Sequence, residues 1–158
     1  MSCVFCEILA GRIPASFVHR DERVAAFMDI QPVNAGHLLI VPVAHAQGLE
    51  DLPPSDGAAM FAAAQRLRGA LQASGLRCEG VNLHLANGEA AGQEVAHVHL
   101  HAIPRFAGDG FGLKFPATYS QKPSREALEQ SAQTIREALK TSPNPPPTPT
   151  SPSRGDSA

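Results

Sequence analysis

The sequence has 158 residues and a formal net charge of −2, with neither a block of basic residues nor an apolar run near the roughly 18 residues of a membrane span. Its length suits one domain with a single core, and its charge balance excludes duplex-binding or membrane-surface roles that depend on a basic patch. The first residues lack a basic segment followed by an apolar one, so we expect a cytoplasmic protein without nucleic-acid or membrane partners.

Cys3 and Cys6 open the chain, in a short helix or turn that Gly11 is expected to end. Two thiols three positions apart can bind one zinc ion, but they supply only half of a tetrahedral site. The alternative is a pair of buried thiols, and a redox pair would need a thioredoxin-like context that the sequence lacks. Nitrogen donors for the other half of a zinc site are available at His37 and His45, which flank a predicted strand.

Hydrophobic patterning predicts five strands and two amphipathic helices. Alternating or unbroken apolar residues predict strands over 15–20, 23–29, 37–42, 80–86 and the histidine-rich segment 97–101. Apolar residues spaced by four, three and four predict a helix over 56–73 that covers the sheet, and a last helix that Ser124 caps and that runs to Lys140. The rest is rich in Pro, Ser and Thr, so we expect a folded domain over 1–140 and a disordered tail over 141–158.

His97, His99 and His101 alternate with the apolar residues Val98 and Leu100. In an extended strand the three imidazoles would share one face, each about 7 Å from the next at roughly 3.3 Å per residue. That spacing is too long for all three to hold one small ion, but it suits the wall of a cleft. A single histidine on a strand is usually solvated or hydrogen bonded, whereas three in strict alternation after a flexible segment indicate an active site.

The segment 97–103 resembles the defining motif of the histidine triad (HIT) superfamily, His-φ-His-φ-His-φ-φ, in which φ is apolar. Further spaced matches are Cys3-x-x-Cys6, Asp29-Ile30-x-Pro32-x-Asn34-x-Gly36-His37, Ile40-Val41-Pro42-x-x-His45, Asn87-Gly88, Ala91-Gly92-Gln93, Pro104-Arg105 and Gly108-Asp109-Gly110-Phe111-Gly112. The matches cover about residues 1–115, whereas the last helix matches weakly and the tail not at all. The chain looks most similar to the zinc-containing bacterial members of the Hint-like branch.

The resemblance implies an α+β protomer with a HIT-like fold, in which one long helix covers a five-stranded antiparallel sheet and a C-terminal helix follows. It also implies a homodimer whose two sheets join into a continuous ten-stranded sheet. In the zinc-containing branch we expect one structural zinc ion per chain, and its four protein ligands would close the site. Those ligands would be Cys3, Cys6, His45 and His97.

The activity that the resemblance implies is attack on the α-phosphorus of a purine nucleotide conjugate, such as a conjugate of AMP, through a transient nucleotidyl-histidine. By position, His99 is the nucleophile, and the backbone carbonyl of His97 fixes its tautomer. His101 and His37 would contact the phosphate, where hydrogen-bond donors stabilise developing charge. We expect a nucleoside phosphoramidate more than a dinucleoside polyphosphate as the substrate.

The resemblance also implies the residues that bind the nucleotide. Asp29 would accept hydrogen bonds from the ribose hydroxyls, and Ile30 would contact the base. The phosphate side would be held by Asn87, Gly92 and Gln93.

Glu94 departs from the family pattern. Many relatives carry Ser or Thr at this position, and their hydroxyl donates a hydrogen bond near the leaving group that an ionised glutamate cannot donate. Because a carboxylate beside a phosphate is disfavoured, we expect Glu94 either to turn away or to face a leaving group that carries a cationic amine.

Two other functions stay open. One is a nucleotide-binding module with weak or vestigial catalysis, which a turnover assay would distinguish from an enzyme. The other is a metal-dependent hydrolase in which the alternating histidines hold a catalytic zinc ion, and loss of activity with a chelator would favour it.

Overall fold

The structure, a computed structural model, describes residues 3–141 of the chain. These described residues divide into two compact units, 3–112 and 113–141. Residues 142–158, which form nearly all of the predicted disordered tail, lie outside the described residues. The boundary between a folded domain and a tail therefore stays a prediction.

The first unit contains a five-stranded antiparallel sheet. In chain order its strands are β1 (Phe17–Arg20), β2 (Val24–Met28), β3 (Leu38–Pro42), β4 (Gly80–His84) and β5 (Leu100–Arg105). Their spatial order is β1-β2-β3-β5-β4, and every neighbouring pair is antiparallel. This arrangement confirms the predicted α+β class and the five-stranded antiparallel sheet, and it places β3 beside β5.

Residues 3–141 contain three α-helices: α1 (Val4–Leu9), α2 (Pro54–Ala73) and, in the second unit, α3 (Arg125–Thr141). Proline at the start of α2 costs no hydrogen bond, because the first N–H groups of a helix have no partner within it. The long helix α2 buries the predicted stripe against the sheet, and full burial of one leucine or methionine contributes roughly 1.5–3 kcal/mol. The stripe consists of Met60, Ala64, Leu67 and Leu71.

The two faces of the sheet pack against different helices. The residues that face α2 are Val24, Ala26, Leu38 and Ile40. The residues that face α1 are Ala25, Phe27, Leu39 and Val41. Because successive residues of a strand alternate faces, the unbroken apolar run of β3 is covered on both sides, as predicted. The face that packs against α1 is the face on which the histidines of the motif gather.

The histidine motif is only partly a strand, which corrects the prediction for 97–101. β5 begins at Leu100, and the three residues before it have no regular structure. The N–H of His97 donates to the carbonyl of Val95 at 2.8 Å, and the N–H of Val98 donates to the carbonyl of Ala46 at 2.8 Å. The backbone N–H groups of His97 and Val98 are therefore hydrogen bonded to their own loop and to the loop after β3, rather than to a neighbouring strand. Val98 still enters the α2 side of the core, as alternation predicts.

In the second unit, none of the described residues of α3 is buried. The Ser124 hydroxyl accepts a hydrogen bond from the N–H of Ala127 at 3.2 Å, which confirms the predicted cap. The apolar stripe of this helix lies at the surface of its unit, since Leu128, Ile135 and Leu139 are 48%, 62% and 64% exposed. Across the described range 3–141, every helix is too short or too polar to cross a bilayer.

Candidate active site

His99, the middle histidine of the motif, has its tautomer fixed by one backbone contact. Its Nδ1 lies 2.7 Å from the carbonyl oxygen of His97, and a carbonyl can only accept, so Nδ1 carries the proton. Nε2 of the neutral ring is then left with a lone pair. The ring is 5% exposed and meets the edge of the Phe5 ring from α1, with centroids 5.3 Å apart. His99 is therefore held in one orientation, in which Nδ1 is engaged as a donor and Nε2 is the nitrogen that carries the lone pair of the neutral tautomer.

His37 and His101 form a hydrogen-bonded pair across β3 and β5. The backbone N–H of Val33 donates to Nδ1 of His37 at 3.2 Å, so the proton of the neutral His37 ring lies on Nε2. Nε2 of His37 is 2.9 Å from Nδ1 of His101 and donates to it, which leaves the His101 proton on Nε2. His101 therefore has an N–H donor at Nε2, on the side of its ring that faces away from His37.

Burial keeps both members of this pair neutral. Desolvation lowers the pKa of His37, which is 3% exposed, and the nearby Asp29 carboxylate opposes that shift. Desolvation, followed by repulsion from His99 and His37, lowers the pKa of His101 to about 4. At neutral pH the pair can donate and accept hydrogen bonds without carrying a charge.

Asp29, at the end of β2, lies beside the histidine pair. Its Oδ2 atom is 3.6 Å from Nδ1 of His37 and 3.9 Å from Nδ1 of His101, both too long for a hydrogen bond. Its Oδ1 atom accepts from the N–H of Gln31 at 2.8 Å, which fixes the orientation of the carboxylate. Asp29, His37 and His101 thus bring one carboxylate and two imidazoles to the same place.

One cavity of about 530 Å³ brings most of the predicted site residues together. That volume lies in the range of small-molecule sites. Of the predicted residues, the cavity is lined by Asp29, Ile30, His37, Gly92, Glu94, His99 and His101. Ile30 is 93% exposed, so it lies at the rim, where a bound group would cover it. The remaining walls are mostly apolar.

Those apolar walls include residues that sequence reasoning missed. Phe5 and Ile8 of α1, with Phe27 of β2, line the cavity and belong to the core on that side of the sheet. Nothing in the local sequence marks them, because apolar residues in a short helix look the same whether they line a site or fill a core. Only the packing of α1 on the sheet places them beside His99.

Asn87 and Gln93 do not line the main cavity. The side chain of Asn87 accepts from the N–H of Leu49 at 2.7 Å. Gln93 donates to the carbonyls of Gln47 and Val95 at 2.7 and 3.0 Å and accepts from the N–H of Gly88 at 2.7 Å. Both side chains hold the loop that precedes the histidine motif. Their expected contacts with a phosphate stay predictions.

Glu94 lies where two cavities meet. It lines the main cavity and also a neighbouring one of about 590 Å³, to which Glu89 and Gln47 contribute. The alternation of a strand would place residue 94 opposite His97, but that reasoning does not apply because β5 begins only at Leu100.

The other predicted cluster lies beneath the motif, where α1 meets the loops on either side. Cys3 and Cys6 each have Sγ 3.4 Å from a histidine nitrogen, Nδ1 of His97 and Nδ1 of His45 respectively. Cys6 Sγ is also 3.7 Å from Nδ1 of His97, and the two histidine nitrogens are 3.3 Å apart. The predicted four residues therefore converge.

These distances match the edges of a tetrahedral zinc site. With Zn–N bonds of about 2.05 Å and Zn–S bonds of about 2.3 Å, a regular tetrahedron places two nitrogens about 3.3 Å apart and a nitrogen and a sulfur about 3.6 Å apart. Nε2 of His97 also donates to the carbonyl of Pro42 at 2.9 Å, which directs the lone pair of Nδ1 at the other three residues. The residues present thus fit a four-coordinate site, and its occupancy by zinc stays a prediction.

The sheet is five-stranded and antiparallel, three alternating histidines lie at the start of β5, and the middle one has Nδ1 hydrogen bonded to a backbone carbonyl. These features define a class of α+β proteins with a histidine-triad site. The family model described as "HIT domain" matches residues 10–108. The chain belongs to the HIT family.

Several relatives are similar over most of the first unit. An uncharacterized HIT-like protein of Methanocaldococcus jannaschii is 42% identical over 113 residues, which are 72% of this chain and 86% of that protein. A protein of Arabidopsis thaliana named adenylylsulfatase is 39% identical over 65% of this chain and 52% of its own length. A protein of Saccharomyces cerevisiae named adenosine 5'-monophosphoramidase is 36% identical over 66% of this chain and 63% of its own length.

Solved structures show the same fold. A HIT family protein from Bacillus anthracis has a TM-score of 0.79 and 37% identity, covering 87% of this chain and 97% of that one. A zinc-bound histidine triad family protein from Mycobacterium smegmatis has a TM-score of 0.68 and 37% identity, covering 89% of this chain and 97% of that one.

Proposed function

We propose that the protein is a nucleotide hydrolase or transferase that attacks the α-phosphorus of a purine nucleotide conjugate through a nucleotidyl-histidine intermediate on His99. The observation that supports this most is the 2.7 Å hydrogen bond from Nδ1 of His99 to the carbonyl of His97. It makes Nε2 the nitrogen that carries the lone pair of the neutral tautomer, in a ring that lines a cavity of nucleotide size. Membership in the HIT family supports the same reaction class.

The reaction proceeds in two displacements. Nε2 of His99 forms a bond to the α-phosphorus while the bond from phosphorus to the leaving group breaks, and an amine leaving group takes a proton from solvent. Water then attacks the phosphorus of the nucleotidyl-imidazolium, the N–P bond breaks, the neutral ring returns, and the water proton goes to solvent. The N–H on Nε2 of His101, backed by His37, stabilises the oxygens that gain charge at phosphorus.

The rest of the cavity accommodates the nucleoside. The Asp29 carboxylate accepts hydrogen bonds from the ribose hydroxyls, and Ile30 at the rim covers the base. The names of the yeast and Arabidopsis relatives favour AMP conjugates with nitrogen or sulfate leaving groups. Glu94 further favours leaving groups that carry a cationic amine over anionic ones such as polyphosphates.

Cys3, Cys6, His45 and His97 hold a structural zinc ion in this proposal. When bound, the ion supplies a cross-link between the amino-terminal helix and the motif, and no step of the reaction depends on it. The convergence of the four ligand atoms and the zinc-bound relative from Mycobacterium smegmatis support this assignment.

The proposal includes a homodimer in the cytoplasm. Among the described residues, β4 is paired on one side only, with β5, and Leu83 on this edge strand is 40% exposed. Antiparallel pairing of two β4 edges would give a ten-stranded sheet and remove an open edge. The free thiols of Cys3 and Cys6 suit a reducing compartment.

The test is to incubate the zinc-loaded protein with nucleoside phosphoramidates and dinucleoside polyphosphates and to identify each product. We expect nucleoside monophosphate to form, and rapid denaturation during turnover to trap a nucleotidyl adduct on His99 that mass spectrometry can locate. Saturable binding without turnover would instead favour the nucleotide-binding module. Turnover that a chelator abolishes in a folded protein, with no adduct on His99, would favour the metal-dependent hydrolase.

A further inference from the structure

Asn34 joins the two segments that carry the histidine pair. It lies in the loop between β2 and β3, which begins with Asp29 and ends at His37. Its side-chain amide donates to the carbonyl of Pro104 in β5 at 2.8 Å and to Oδ2 of Asp109 at 2.9 Å. One amide therefore fixes this loop to the strand that carries His101.

The acceptor of that second hydrogen bond is held rigidly. The side chain of Asp109 is 3% exposed, and Arg105 binds both of its oxygens at 2.5 and 2.7 Å. The backbone N–H of Phe111 donates to the same carboxylate at 3.1 Å. Arg105 also donates to the side chain of Asn82 on β4. A bidentate arginine–carboxylate pair has one preferred geometry, so Arg105 of β5 fixes the position of the Asp109 carboxylate. Asn34 is therefore hydrogen bonded to a carboxylate that is itself held in place by β4 and β5.

Val33 and the backbone of Asn34 itself make the contacts that orient His37. The N–H of Val33 donates to Nδ1 of the His37 ring at 3.2 Å, and the N–H of His37 donates to the carbonyl of Asn34 at 3.1 Å. Movement of Asn34 would therefore move the Val33 N–H, which donates to Nδ1 of His37.

That donor decides which of two arrangements the histidine pair adopts. In one, His37 donates from Nε2 and His101 keeps its proton on Nε2, so His101 offers a donor to a phosphate. In the other, His37 carries its proton on Nδ1 and accepts from Nδ1 of His101, so His101 offers a lone pair that repels a phosphate oxygen. The Val33 N–H excludes the second arrangement, because two hydrogens would then face each other at Nδ1 of His37.

We propose that Asn34 is a positioning residue that, through the Val33 N–H, fixes the tautomers of His37 and His101 so that His101 presents Nε2–H to the substrate. Its consequence for rate rests on the proposed nucleotidyl transfer, whereas its consequence for the tautomers does not.

The first test measures the tautomers directly in the full-length, zinc-loaded protein. Long-range proton–nitrogen correlations of the imidazole rings distinguish the protonated from the unprotonated ring nitrogen. In the wild type we expect Nε2–H forms at both His37 and His101. In Asn34→Ala we expect a mixture that includes the Nδ1–H form of His101. Gln133→Ala, which removes an exposed amide on α3, is the matched control and should leave both rings unchanged.

Asp109→Asn is the second variant, because it keeps an oxygen that Asn34 can bind while weakening the anchor. We expect its mixture of tautomers to lie between those of the wild type and Asn34→Ala. Its kcat/KM should likewise lie between the values of these two proteins. For Asn34→Ala, kcat/KM for a nucleoside phosphoramidate should fall by about 10- to 100-fold, the scale of a misplaced catalytic group, with most of the loss in kcat.

The outcomes separate this inference from the proposed function. If Asn34→Ala is folded and both histidines keep their wild-type tautomers, the inference is wrong, whatever happens to the rate. If the tautomers shift in Asn34→Ala but the wild type turns over no nucleotide conjugate, the inference stands and the proposed function fails. A loss of kcat with unchanged tautomers would assign Asn34 a different role and would also overturn the inference.

Discussion

The carbonyl of His97 accepts a hydrogen bond from Nδ1 of His99 at 2.7 Å, while the ring of the same His97 lies 3.4 Å from the sulfur of Cys3. One residue thus contacts both the candidate nucleophile through its backbone and the cysteine cluster through its side chain. Since the segment 97–99 has no strand partner, these contacts, rather than sheet hydrogen bonds, fix the position of His99.

His99→Ala should abolish turnover and leave nucleotide binding measurable. The substitution removes the attacking nitrogen but not the carboxylate of Asp29 or the apolar walls of the cavity, so kcat should fall by about a thousandfold or more while Kd changes by less than about tenfold. Single-turnover kinetics and calorimetric titration with a nonhydrolysable nucleotide measure the two effects. His19→Ala is the control, because His19 lies on β1 and is hydrogen bonded to Asp21, outside the cavity lining. Substantial turnover by the alanine variant would exclude His99 as the nucleophile.

Purified protein should contain one zinc ion per chain. Cys3→Ser or Cys6→Ser should lower the free energy of unfolding while changing the turnover rate of the folded protein little. Metal binding by residues that are far apart in an unfolded chain contributes directly to folding free energy, so loss of one thiolate should cost at least about 2 kcal/mol. Elemental analysis and chemical denaturation measure both quantities. Cys78→Ser serves as the matched control, because Cys78 donates to the carbonyl of Gly80, outside the four-residue cluster. Protein isolated without a chelator and found free of zinc would contradict this prediction.

Acidification should destabilise the protein through His101. Its folded pKa of about 4 lies below the ordinary histidine value near 6.5, so the unfolded state binds more protons between these values. Stability from this group is therefore complete above about pH 6.5 and falls as pH drops toward 4, by roughly 3 kcal/mol or less. Because zinc release also depends on pH, the measurement is the difference between wild type and His101→Asn in free energy of unfolding from pH 7 to 4.5. Equal slopes for the two proteins would show that His101 is not desolvated as the structure indicates.

Sequence periodicity predicted most of the fold, and motif spacing predicted most of the residues that line the candidate site together. The apolar stripe of α2 predicted this helix, because the buried face of an amphipathic helix recurs about every 3.6 residues along the sequence. The stripe is Met60, Ala64, Leu67 and Leu71. The resemblance to the zinc-containing HIT branch predicted that Cys3 and His97 lie close together, although they are 94 positions apart in the sequence. Such a contact cannot be read from local pattern, since neither residue has a periodic neighbour that signals the other.

What the sequence could not predict depends on tertiary hydrogen bonds. Strict alternation predicted a strand over 97–101, but Val98 pairs with the loop at Ala46, so strand geometry begins three residues later. The structure adds that the Gln93 side chain is hydrogen bonded to Gly88 and Val95 of its own loop and to Gln47 of the loop after β3. The role of the Val33 N–H was also missed, because a backbone donor leaves no trace in residue identity.

Glu94→Ser should change which leaving group is preferred. Two unit charges about 4 Å apart interact by roughly 4 kcal/mol at an effective dielectric of 20, so a carboxylate near the scissile bond disfavours a polyphosphate leaving group and favours a cationic amine. Glu94 lines both the main cavity and the neighbouring cavity to which Glu89 contributes, and the proposed function puts the leaving group on this side of the main cavity. The serine variant should therefore lower the ratio of kcat/KM for an amine phosphoramidate to kcat/KM for a dinucleoside polyphosphate, measured at one pH and ionic strength. Glu22→Ser, at the exposed β1–β2 turn, controls for the loss of one surface charge and should leave the ratio unchanged. If Glu94→Ser also leaves the ratio unchanged, the carboxylate points away from the leaving group and has no part in selectivity.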